Sequence, residues 1–245
     1  MEFFLAKSNP NQINSVIGSH KWSHTPLALA CCYGLLDKVK VIIRSKHLEV
    51  NKIAPIKLQR GMDSALHCAV RSGNAELIKI LASHPDLMWN VVDSTRSAAI
   101  LYAIKEGKRN IVQAFVTYGC DKIKWNSYDD SLPNINLHYR WQARKKGDIY
   151  TANSHLAIFE DLLNVSMLDW KSIATRALEC DDVEALVIIF RNPHLIYDLK
   201  VAKRSFGIKR KTVEDCLVRV KEEHRRTGMN FSDAYDWLTG LLNYF

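Results

Sequence analysis

SALHCAVRSGNAELIKIL, residues 64–81, is a pattern that the chain repeats. It has a relative upstream, TPLALACCYGLLDKVKVII at 25–43, and another downstream, AAILYAIKEGKRNIVQAFV at 98–116. Aligned on Gly34, Gly73 and Gly107, the three share Leu27, Leu66 and Ile100, then Ala30, Ala69 and Ala103. Beyond the glycine they share Val39, Ile78 and Val112, followed by Ile42, Leu81 and Phe115. Each copy reads as a short helix, a left-handed turn at the glycine, and a second helix with apolar residues at three- and four-residue spacing. The small alanine lets neighbouring copies approach closely. One copy cannot bury its apolar face alone, so several must stack.

Worn relatives extend the pattern. In SIATRALECDDVEALVIIF, residues 172–190, Ala177 takes the small position, and Leu186 and Ile189 take the second-helix positions. Asp181 stands where the glycine stood, a residue that tolerates left-handed backbone. FFLAKSNPNQINSVI at 3–17 reads as a half-degenerate cap with Asn9 at the glycine position. Residues 122–171 are either a diverged repeat, with HLAIFEDLLNV at 155–165 as one helix, or an insertion. KTVEDCLVRVKEEHRR and NFSDAYDWLTGLLNYF read as two closing helices, the second with a stripe of Tyr235, Trp237, Leu238, Leu241 and Leu242. The expected organisation is a cap or degenerate repeat over 1–24, three repeats over 25–121, the ambiguous segment 122–171, a worn repeat over 172–193 and a helical extension over 194–245.

The copies resemble the ankyrin repeat. TPL at 25–27 and SALH at 64–67 match that family's TPLH start, and Gly119-Cys120-Asp121 resembles its GAD turn. The resemblance implies an all-α, ankyrin-like helical solenoid of about four to five irregular repeats, with an insertion and a helical C-terminal cap. It implies that His67 ties adjacent loops together through its imidazole. It also implies a non-enzymatic protein-binding module that works through loop tips and a concave face of first helices. Carried over by alignment, that face holds Lys21, Trp22 and His24, then Cys32 and Tyr33, then Arg60, Asp63, Arg71 and Ser72, then Ser94, Ser97, Lys105 and Glu106, with Lys171 and Glu179 in the worn copy. The irregular repeats and the insertion resemble ankyrin-containing proteins that intracellular bacteria or viruses deliver into host cells, so an effector role in a host cytoplasm is one expectation.

Composition narrows the class. The 245 residues are 47% hydrophobic, enough for a sizeable core, and hold only 10 Gly and 6 Pro. No apolar run approaches the roughly 18 residues of a membrane span. MEFFLAK has no basic n-region or long apolar stretch, so no cleaved leader is expected. The six cysteines form no CxxC pairs, which fits free thiols in an intracellular, reducing compartment. The formal charge of +8 is concentrated in 122–150 and 194–226. A basic balance suits nucleic acid, acidic lipid, an acidic protein segment or simply a solvated helix face. A monomer that binds a protein partner with an acidic segment is the expectation.

His67 beside Cys68 raises the question of a catalytic dyad. Adjacent helical residues point about 100° apart, so the two cannot face one substrate, and the repeat already explains both. His20 and His24, four apart and near Cys31 and Cys32, have a zinc-like spacing, but Gly18, Ser19 and Thr25-Pro26 mark a loop there. Acidic neighbours argue against Cys180 as a nucleophile. There is no phosphate loop, GxSxG or HExxH, and no metal, cofactor or catalytic residue is expected. KWNSYDD at 124–130 and LHYRWQARKK at 137–146 interleave aromatics with cations, namely Trp125, Tyr139, Arg140, Trp141 and Arg144. That mixture can pack inward, bind protein or stack nucleic-acid bases. An enzyme site in the insertion or C-terminal helices, and a nucleic-acid or acidic-surface binder using KRSFGIKRK at 203–211, remain as alternatives.

Overall fold

The left-handed turn expected at Gly34 is the joint on which the molecule is built. A computed structural model describes residues 10–17, 24–53, 63–93, 95–124, 131–165, 168–191, 210–228 and 230–243. Among them no strand forms, and the only extended pairings are two isolated bridges, Ile17 with His24 and Val92 with Ala98. The chain divides into two compact units, residues 1–124 and 125–245.

Unit 1 opens with α1 (Pro10–Ile13). Asn9 lies outside the described residues. The first copy is α2 (Pro26–Cys32) and α3 (Leu36–Ile42). Thr25 caps α2 by accepting a hydrogen bond from the Ala28 amide at 3.2 Å, and Pro26 takes the first helical position, where a missing N–H costs nothing. Gly34 has φ +68°, and the Leu35 amide donates back to the Ala30 carbonyl at 2.9 Å, which closes the helix end. The second copy is α4 (Ala65–Ser72) and α5 (Ala75–Ala82), and the third is α6 (Ala99–Lys105) and α7 (Arg109–Gly119). First helices pack on first helices, α2 on α4 and α4 on α6, and second helices do likewise, α3 on α5 and α5 on α7. The aligned alanines and the aligned leucine or isoleucine of each first helix are buried, as are Val39, Ile78, Leu81, Val112 and Phe115. Ile42 is half-buried.

Unit 2 begins within the segment 122–171. It holds α8 (Leu132–Lys145) and α9 (Ile149–Leu163), which pack on each other across a turn at Gly147. That turn has φ +74°, and the Asp148 amide donates to the Ala143 carbonyl at 3.0 Å, the closure already seen at Gly34. The segment thus holds two long helices joined by the same kind of turn as the copies of unit 1. Next come α10 (Trp170–Glu179) and α11 (Val183–Phe190). Asp181 has φ +51° and the Asp182 amide reaches the Ala177 carbonyl at 2.9 Å, so the aspartate does serve at the glycine position. α10 stacks on α8 and α11 on α9. α12 (Arg210–Thr227) packs on α11, and α13 (Ser232–Leu242) packs on α12. Of the expected stripe on α13, Leu238 is buried and Trp237 meets Phe190 at 5.6 Å, whereas Tyr235 is exposed beneath the Lys221 ammonium.

Candidate functional site

The residues just before each left-handed turn in unit 1 form a row. Tyr33, Ser72 and Glu106 occupy one position in successive copies, and Cys32, Arg71 and Lys105 occupy the position before. Stacking of α2, α4 and α6 puts them along one edge. Tyr33 is 73% exposed. Lys105 and Glu106 are exposed, and Glu106 pairs with Lys108 at 2.7 Å. Ser72 turns its hydroxyl inward and donates to the Ala69 carbonyl at 2.8 Å.

Arg71 has less freedom than the alignment suggests. Its guanidinium donates to the buried carboxylate of Asp63 and lies over the Tyr102 ring, 5.5 Å from the centroid. Tyr102 in turn donates to Asp93. Asp93 also accepts from the Thr95 amide and hydroxyl and from the Ser97 amide, which orders the third loop tip. Burial raises the Asp93 carboxyl, but the hydrogen bonds from Tyr102 and Thr95 outweigh it and hold the group below its ordinary range. Arg71 therefore does not stand as a free cation beside Tyr33; the aromatic it covers is Tyr102. Lys21, Trp22, Arg60, Ser94 and Trp125 lie outside the described residues, as do residues 203–209 of the basic C-terminal stretch. Of Lys171 only the backbone is described, and Glu179 is exposed.

The His67–Cys68 pair is split by the helix. His67 is 1% exposed; its Nε2 donates to the Ser97 carbonyl at 3.0 Å, and its Nδ1 accepts from the Ser64 hydroxyl at 2.8 Å. It ties the second copy to the third, as the resemblance implied. Cys68 points elsewhere, toward Cys32 of the preceding copy. Its hydrogen bond to Cys32 and its burial push the Cys68 thiol up, and the same bond lowers Cys32. His24 is the third member of this group: one donor atom from each of His24, Cys32 and Cys68 lies within 4.8 Å of the others. Stacking thus assembles His24, Cys32 and Cys68, where sequence spacing pointed to His20, His24, Cys31 and Cys32. Burial pushes the thiols of Cys180 and Cys216 up, away from nucleophilic use.

The aromatic–cationic stretch of α8 turns largely inward. Arg140 is 1% exposed, so it does not serve as a surface contact: Nε donates to Asp182 at 2.6 Å and a terminal nitrogen pairs with Glu184. Tyr139 stacks on His155 with centroids 6.1 Å apart. Trp141 is half-buried, stacked on His138 and covered by the Lys145 ammonium at 4.2 Å. Arg144 remains partly exposed while donating to the Asp181 carbonyl at 3.0 Å.

One set of residues escaped the sequence reading. Asn14 donates to the His47 carbonyl at 2.7 Å and accepts from the Glu49 amide at 2.8 Å. Asn51 does the same to the Asp86 carbonyl and the Met88 amide, and Asn90 to the Lys122 carbonyl and the Lys124 amide. Each side chain clamps the loop of the next copy. The signal was in the spacing, since these asparagines recur at nearly the period of the glycines.

A family model described as ankyrin repeats (3 copies) matches residues 50–126. The match begins after the first copy and ends beside the boundary of unit 1. Ankyrin repeats are in general protein–protein interaction modules. No curated protein matches the chain.

Proposed function

We propose that this ankyrin-repeat protein binds an extended protein segment along the row of turns in unit 1, with Tyr33 as the apolar anchor and Lys105 as a free cation for an acidic partner residue. The exposure of Tyr33 carries the reading: a large aromatic held 73% exposed at the end of a buried helix has no packing role that explains it. Around it, the His67 link, the Asn51 and Asn90 clamps and the Asp63–Arg71–Tyr102–Asp93 chain hold the loop tips in place, so little ordering entropy is lost on binding. Arg71 helps by fixing the surface and by its positive field rather than as a gripping fork. An intracellular setting, including delivery into a host cell, agrees with six cysteines that form no disulfide.

The test starts with affinity capture from a candidate host cytosol, identification by mass spectrometry, and interferometry with the purified partner. Tyr33→Ala combined with Lys105→Glu weakens binding by at least ~2 kcal/mol, the hot-spot scale, without loss of fold. Lys79→Glu, on the exposed side of α5, leaves binding within about twofold. Equal loss in both variants, or loss only in the second, removes the proposed face.

A further inference from the structure

The grouping of His24, Cys32 and Cys68 is not used by the binding proposal above, which this inference does not rest on. Three separate stretches of chain bring it together. Cys68 projects from the middle of α4, and Cys32 is the last residue of α2, the helix stacked on it. His24 stands just before the Thr25 cap, its backbone fastened to Ile17 by hydrogen bonds of 2.8 and 2.9 Å. Cys68 is fully buried, while His24 and Cys32 are half-buried.

Two polar atoms there have no partner. The Nδ1 of His24 is buried without a hydrogen bond. So is the Oδ1 of Asp63, a residue 3% exposed whose other oxygen holds Arg71. The Asp63 charge acts on both thiols. A native interior rarely leaves such atoms unsatisfied, and a cation held by the His24 nitrogen and the thiols would also be favoured by the Asp63 charge.

We propose that His24, Cys32 and Cys68 form a Zn2+ site, with water in the fourth position. The donor set is of the soft thiolate–imidazole kind that selects zinc over magnesium or calcium. Around tetrahedral zinc, with bonds of ~2.3 Å to sulfur and ~2.0 Å to nitrogen, donors stand roughly 3.5–3.8 Å apart. The present separations, all within 4.8 Å, close to that by side-chain rotation without moving a helix. Binding breaks the S–H bonds; both sulfurs become thiolate ligands and their protons pass to solvent, with no change of oxidation state. The proposal departs from the expectation of no metal, drawn from the loop around His20, in that the second thiol comes from the next copy rather than from Cys31. Occupancy would pin the N-terminal segment to the first two copies, immediately beside Tyr33.

The experiment uses the full chain, reduced and metal-free, titrated with Co2+ as the spectroscopic probe. One equivalent produces a thiolate-to-cobalt charge-transfer band and visible d–d bands of tetrahedral intensity, and Zn2+ abolishes both. Cys32→Ser and Cys68→Ser lose the charge-transfer intensity and His24→Ala weakens Co2+ binding at least ~10-fold, whereas Cys120→Ser keeps both. Should a variant fail to fold by circular dichroism, the unmutated chain gives the answer: bound Zn2+ protects Cys32 and Cys68, and not Cys120, from alkylation as read by peptide mass. The proposal is overturned by absence of a charge-transfer band, by a band that survives loss of both thiols, by uniform alkylation with and without Zn2+, or by a Cys32–Cys68 disulfide in chain whose thiols were blocked at lysis.

Discussion

Units 1 and 2 use the same joint and different glue. In both, a first helix ends in a left-handed residue, and the following amide donates back to the alanine four residues before it, at Ala30, Ala103, Ala143 and Ala177. In both, first helices stack on first helices. Unit 1 joins its copies mainly by side-chain-to-backbone bonds, from His67, Asn14, Asn51 and Asn90 and from the half-exposed Lys108 ammonium to the Val70 and Arg71 carbonyls. Unit 2 joins α8 to α11 by a buried charge, Arg140, held by Asp182, Glu184 and the Ala152 carbonyl. Its one buried histidine among the described residues, His155, faces Asn136 of the helix paired with its own. Apolar stacking is what the architecture requires; the polar bridges differ between the two units.

The sharpest way to break this comparison is to remove the charge. Arg140→Met leaves Asp182, fully buried, with its main partner gone, so unit 2 loses roughly 3–5 kcal/mol. Denaturation should then show two transitions, the earlier reported by Trp141 and the later by Trp89. Adding Asp182→Asn recovers part of the loss. A single unshifted transition would contradict the role given to Arg140.

A change of pH separates the units next. Burial, with the Arg140 charge second, lowers His155 from 6.5 to about 4. The fold therefore keeps this imidazole neutral in a range where the unfolded chain takes up a proton. Its contribution is complete above about 6.5 and is lost as pH falls toward about 4, up to about 3 kcal/mol. His155→Phe flattens that dependence in the unit 2 transition, as urea melts across the window would show.

Smaller effects probe the joints. A methyl at Gly119 would stand 2.7 Å from the Trp89 ring, which itself meets Phe115 edge-on, so Gly119→Ala costs unit 1 about 1–3 kcal/mol. At Gly73 and Gly147 a new methyl meets open space and only the backbone resists. Gly73→Ala and Gly147→Ala should each cost about 1 kcal/mol, equally in the two units. Unequal costs, measured as shifts in denaturant midpoint, would mean that the shared turn is not equivalent.

Much of unit 1 was readable because its signals are local. The glycines, the alanines four before them and the Thr25 and Ser64 caps all act within one repeat, so spacing reveals them. Asp181 was readable for the same reason. α8 and α9 were harder: they run 14 and 15 residues, lack a TPLH start, and bury polar residues such as Asn136 and Arg140 that look like surface. Their local marks were the Ala143–Gly147 spacing and the Ser131 and Asp148 caps. The binding face was readable as a row of positions but not as chemistry. Whether Arg71 is free depends on Asp63 and Tyr102, and whether Cys68 meets His24 depends on how copies stack, neither of which spacing encodes.

If a partner docks on the row of turns in unit 1, as proposed, it shields those turns from solvent. Hydrogen–deuterium exchange of the full chain, with and without the captured partner, tests it most directly. The account predicts slowed exchange at residues 31–35, 71–74 and 105–108, with little change in the exposed faces of α3 and α5. Protection confined to α12 and α13 would contradict it and move the binding surface to unit 2.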